Sequence, residues 1–130
     1  MTAQKPIEMV TADDTFTLDN LVNEVTCPVT FDKLYPGREF AFTLRIELES
    51  DIDRRKEYFA GRKPTQHEQR LERLAQLIVK PPVGFSDFPT SGNVSENVRR
   101  YFKSEEKAGM LLLGALTEYD KRVLPDQLFR

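Results

Sequence analysis

Three groups of residues have the types from which catalysis or ligation is built, and each is weighed first as chemistry. His67, the only histidine, has Glu68 beside it and Glu72 near. A general base or metal ligand needs second and third groups converging on it, and this spacing supplies none, so His67 is read as an exposed histidine on the wet face of a helix. Cys27, the only cysteine, excludes an internal disulfide. It falls on the apolar side of a strand with no cationic neighbour in sequence, where a thiol acts as a small buried hydrophobe and not as a nucleophile. Asp51 and Asp53, preceded by Glu47 and Glu49, are the acidic run closest to a divalent-cation pattern. They lack the spacing of a calcium loop, and side chains two apart on a helix do not share a face, so they are read as a solvated strand end and helix start. No glycine-rich phosphate loop, GxSxG or HExxH occurs in the chain. The catalytic, cofactor-binding and metal-ligating sets are therefore all read as empty, and the function as non-enzymatic.

Binding chemistry is better represented. Arg54, Arg55, Lys56, Arg62, Lys63, Arg70 and Arg73 crowd one region, opposed by Asp51, Asp53, Glu57, Glu68 and Glu72. Arg54, Arg55, Arg62 and Lys63 are the candidate phosphate contacts of an accessory nucleic-acid-binding protein, and such binding would weaken steeply with salt. The competing reading is a pair of ion-paired helix faces. The whole chain carries a net charge of −2, which argues against a general nucleic-acid face. A second candidate is the stretch PPVGFSDFP, in which Phe85 and Phe88 lie between Pro82 and Pro89. Aromatic side chains on a proline-stiffened loop are what a protein-binding hot spot uses, unless they fold inward and cap the core.

These candidates need elements to position them. In EFAFTLRIELES, residues Phe40, Phe42, Leu44, Ile46 and Leu48 alternate with polar positions, the period of a strand with one buried face. Cys27, Val29 and Phe31 alternate likewise, and Pro28 restricts that strand to an edge or bulge. Pro36 and Gly37 between the two suit a type II turn. An antiparallel hairpin of about 26–32 and 39–48 follows. Ser50 with Asp53 predicts a helix start, with Gly61 as its left-handed stop. Thr65 with Glu68 makes a capping box for a helix whose stripe is Leu71, Leu74, Ala75 and Ile78, ending before Pro81. Asn93 with Glu96 starts a third helix, with Val94, Val98, Tyr101 and Phe102 on one face. Ser104 caps a fourth, apolar on every side over 110–113, continued by Ala115, Leu116 and Tyr119, read as the most buried element and stopped by Pro125.

The expected architecture is α+β, an N-terminal antiparallel hairpin or small sheet packed on a C-terminal bundle of about four helices. Residues 1–14 are read as a flexible arm, 15–130 as a single domain, and 15–18 as a short strand or the start of a turn. MTAQKPIEMVTADDTF has neither a basic start nor an apolar run, and no stretch reaches the roughly 18 apolar residues of a membrane span, so a cytoplasmic protein is expected.

From Glu39 to Arg130 the order and texture of the chain resemble the small tail assembly chaperones and related morphogenesis proteins of long-tailed bacteriophages. The likeness is carried by FAFTLRIEL, a charged helix pair, PPVGFSDFP, NVSENVRRYF and a closing helix that finishes TEYDKRVLP. It implies a helper without catalytic groups that binds an unfolded tail or tape-measure partner in the host cytoplasm and oligomerises along it.

Overall fold

A computed structural model describes the backbone of residues 24–128 and the side chains as far as Val123. The expected N-terminal arm and the short strand at 15–18 lie outside the described residues. Six elements follow in the anticipated order: β1 (Glu24–Thr30), β2 (Glu39–Arg45), α1 (Glu49–Tyr58), α2 (Gln66–Leu77), α3 (Val94–Tyr101) and α4 (Glu105–Leu128). Strands first and helices after give the α+β fold.

The two strands pair antiparallel, with Cys27 opposite Phe42 and Val29 opposite Phe40. Their connection contains the turn predicted for Pro36 and Gly37: the Arg38 N–H donates to the Tyr35 carbonyl at 3.1 Å, and Gly37 takes a φ of 73°. A positive φ at that position is what a type II turn demands, and glycine meets it without steric cost. Among the described strands β1 pairs on one side only, which is where Pro28 is tolerated. The second strand is shorter than its pattern predicts. After Arg45 the chain turns, Ile46 is half-buried and Leu48 stands 57% exposed as the residue preceding α1.

The other edge of β2 is covered by a segment with no strand pattern of its own. Ala41 and Val83 exchange backbone bonds of 3.1 and 2.9 Å, and the Val79 N–H donates to the Thr43 carbonyl at 3.1 Å. Residues 78–83, leaving α2, thus run antiparallel along β2 and satisfy groups that would otherwise form an open edge.

Local signals fix the helix starts. Glu68 and Thr65 form the reciprocal box at 2.7 and 3.1 Å, and the Asn93 side chain accepts the Glu96 N–H at 2.9 Å. The Ser104 hydroxyl accepts from the Lys107 N–H at 3.3 Å. Two expectations are corrected. The first helix starts at Glu49, one residue before Ser50, because the Asp51 carboxylate takes the Leu48 N–H at 2.8 Å in place of the Ser50–Asp53 pairing. The last helix runs through Pro125 to Leu128: a proline inside a helix withdraws one backbone donor and crowds the turn before it, and with only three helical residues after it that cost falls at the end of the helix.

The core joins Cys27, Val29, Phe40, Phe42 and Leu44 of the sheet to Leu74, Leu77 and Ile78, Val98 and Phe102, and Leu111, Leu112, Ala115 and Tyr119. Each Val, Leu, Ile or Phe side chain among them, fully buried, contributes roughly 1.5–3 kcal/mol. The 110–113 segment is not buried on every side, since α4 lies along β1 and turns Met110 and Leu113 to the surface. No helix among the described residues is long and apolar enough to cross a membrane.

One hydroxyl ties the last helix to the strand end. Tyr119 accepts the Glu47 N–H and donates to the Arg45 carbonyl, both at 2.8 Å. Tyr119→Phe keeps the ring and leaves both backbone groups without that partner. It should cost about 2 kcal/mol in urea denaturation, and a loss below a few tenths would show that water replaces the bonds.

Candidate functional site

A cleft of about 360 Å³ opens where four parts of the chain meet. The hairpin loop supplies Tyr35 and Arg38, β2 supplies Phe40, the loop after α2 supplies Phe85 and Asp87, and the α3–α4 corner supplies Tyr101, Phe102 and Lys107. Ring faces set its shape. Phe85 stacks on Phe40 with centroids 4.7 Å apart and meets Phe102 and Tyr101 edge-on at 5.2 and 5.6 Å. Tyr35 stands edge-on to Phe40 at 5.4 Å, and its hydroxyl donates to the Lys107 carbonyl at 3.4 Å, joining the hairpin loop to α4.

Gly84 permits the close packing of this loop on β2. Its φ is 106°, and a Cβ there would come within 2.7 Å of the Glu39 carbonyl oxygen and of the Phe40 ring. Arg38 spans the same junction, donating to the Gly84 carbonyl at 3.3 Å with its guanidinium 5.9 Å from the centre of the Phe40 ring.

Two titratable groups of the cleft, Tyr101 and Asp87, are engaged with each other. The Tyr101 hydroxyl donates to the Asp87 carboxylate, and burial together with that bond pushes its pKa up to about 12. A phenol held neutral and bonded to a carboxylate is a fixed donor, poorly suited to act as a base near neutrality. What the cleft offers is an apolar, aromatic hollow rimmed by the cations Arg38 and Lys107.

The predicted interface residues separate. Phe88 is 5% exposed and packs on Tyr101 and Phe102 at 5.1 and 6.2 Å, so it belongs to the core. Pro82, six residues earlier, is also buried, and Pro89, next to Phe88, is exposed. Phe85 is half-buried and forms a wall of the cleft, so the loop lines a concave site and does not project as an aromatic pair.

The predicted phosphate contacts also separate. Arg54 binds Asp51 at 2.8 Å, and Arg55 binds Glu47 at 2.7 Å and Gln76 at 2.6 Å. Arg73 joins Glu47 at 3.0 Å to Asp120 at 2.8 Å. Arg62 lies over the Tyr58 ring, 4.6 Å from its centre, and Lys63 is exposed. The region is largely an internal ion-pair lattice.

Two readings of isolated residues need correction. His67 is 3% exposed, because the end of α3 packs across the first turn of α2; its Nε2 lies 2.9 Å from the Phe102 carbonyl. Asp51, expected in solvent, is fully buried between Arg45 and Arg54. No group of three potential metal-ligating side chains occurs among the described residues. Cys27 is buried, and burial pushes its thiol up to about 11. Iodoacetamide at pH 8 should therefore leave native Cys27 unmodified and alkylate it promptly in denaturant; rapid native labelling would refute its placement.

No protein-family model, no curated protein and no solved structure matches this chain. Tyr35, Arg38 and Lys107 escaped sequence reasoning because nothing local marks them. Tyr101 and Phe102 were recognised as an apolar face, and their register on α3 is the signal that points toward the cleft.

Proposed function

We propose that the protein is a non-enzymatic binding factor that seats an apolar or aromatic side chain of a protein partner in the Tyr35–Phe85–Tyr101 cleft. The observation that carries this reading is the cleft itself, a concave site of about 360 Å³ walled by aromatic rings from separate elements. Concave apolar sites with a few polar groups at the rim are where anchoring side chains bind, and buried aromatic contacts dominate such affinities. A tail assembly chaperone, which the chain resembles, needs such a receptor for apolar side chains of an unfolded tail or tape-measure segment. Nucleic acid binding through residues 54–73 is the weaker reading, since Arg54, Arg55 and Arg73 already hold carboxylates.

A photo-cross-linking residue at exposed Ser86, beside the cleft, tests the proposal in the cells from which the protein comes. A discrete protein adduct is expected that withstands high salt, is missing when the cross-linker stands at exposed Thr117, and is lost with Tyr35→Ala. Nucleic acid released by salt, with no protein adduct at Ser86, would overturn it.

A further inference from the structure

A second cleft, of about 410 Å³, lies where the end of α1, the start of α2 and the end of α3 meet. Tyr58, Arg62, His67, Arg100 and Lys103 form its working surface. The two carboxylates in its wall are engaged: Glu68 takes the Thr65 N–H at 2.7 Å, and Glu72 holds the Arg99 guanidinium through two bonds of 2.9 Å. Arg62 and Arg100 bind only neutral oxygens, the Tyr58 carbonyl and the Asn97 side chain. Among the described residues neither they nor Lys103 have a carboxylate partner. The cleft thus presents three cations without a carboxylate partner against one carboxylate, Glu68, without a cationic one.

His67 adds an independent observation. Its Nε2 must be the protonated nitrogen, since the Phe102 carbonyl beside it only accepts. In the neutral imidazole this leaves Nδ1 as an acceptor, buried and without a partner, in a histidine 97% removed from solvent. Buried polar atoms are rarely left unpaired, and this one calls for an N–H or O–H donor.

We infer that this cleft binds an acidic residue of an extended polypeptide, its carboxylate on Arg100 and Lys103 and a nearby backbone N–H serving His67 Nδ1 directly or through one water. A peptide brings the oxyanion and the donor together. A DNA strand brings oxyanions without a backbone donor, and three cations do not make the stripe that tracks a nucleic acid. Arg100 and Lys103 flank Tyr101 and Phe102 of the aromatic cleft in the sequence, at the end of α3. The inference rests on the proposed function only for the partner being a polypeptide.

The probes are fluorescein-labelled peptides of about ten residues with one phenylalanine in a glutamate-rich background, a twin with glutamine for glutamate, and a twin with alanine for phenylalanine. A labelled oligothymidylate of similar length is the fourth. By anisotropy the glutamate peptide should bind about tenfold tighter than the glutamine twin. The double variant R100Q/K103E, both sites exposed, should erase that preference while the protein stays folded at the assay temperature. Equal binding of these twins, a preference that survives the double variant, or tighter binding of oligothymidylate would each overturn the inference. Equal binding of the alanine twin would instead sink the aromatic-anchor reading and leave this one standing.

Discussion

Asp51→Ala is expected to lower unfolding free energy by about 3 kcal/mol, because it removes the anion from a buried three-donor site. Arg45 grips the carboxylate through two bonds of 2.7 Å, Arg54 adds one of 2.8 Å, and the Leu48 N–H adds another of 2.8 Å that starts α1. Both guanidiniums keep some contact with water, which places the cost at the lower end of the range for broken buried pairs. The effect has a pH signature. The bonds from Arg45, ahead of those from Leu48 and Arg54, hold the Asp51 carboxyl well below the usual carboxylate range despite its burial. A depressed folded-state pKa gives stability that is whole above the unfolded value of about 3.9 and is lost as pH falls beneath it. The gap in stability between wild type and Asp51→Asn should therefore narrow between about pH 4 and about pH 2. Denaturation at both values measures it, and a constant gap would mean that the bonds do not favour the ionised form.

Phe102→Ala is the second, at about 3–5 kcal/mol. The ring is almost wholly buried and touches Phe42, Phe85, Phe88 and Tyr101, with centroids between 4.9 and 6.2 Å. Its loss leaves a cavity that rings from several elements cannot all collapse to fill. The same ring lines the aromatic cleft, so a partner held there should lose affinity at concentrations where the variant is still folded. Phe102→Leu, which retains most of the volume, should cost about 1.5 kcal/mol or less. Comparable losses for the two variants would mean that the site is not tightly packed.

What could be read from the sequence followed the range of the signal. Period-two alternation around Phe42 and the Pro36-Gly37 turn specify a hairpin within about twenty residues, and both are found. Thr65 with Glu68 and Asn93 with Glu96 are contacts three residues apart, and both appear as bonds. The failures lie where distant parts combine. His67 sits among polar neighbours, and its burial comes from Phe102, thirty-five positions away. Asp51 reads as solvated until the chain reverses after Arg45 and brings that guanidinium back over it. The covering of β2 by 78–83 depends on two short pairings with no alternation to announce them. The aromatic cleft draws on residues from Tyr35 to Leu111, so Phe85 was recognisable as aromatic but not as one wall of a hollow.

The late cover of β2 has a kinetic consequence. During vectorial synthesis the hairpin emerges first, while Val79 and Val83, which satisfy its outer strand, and Tyr119, which fastens its end, follow tens of residues later. Pairings of such sequence separation form slowly, because chain entropy is lost before contacts repay it. A nascent chain halted before Ile78 would therefore present β2 as a bare pairing edge, the form in which strands of neighbouring chains join.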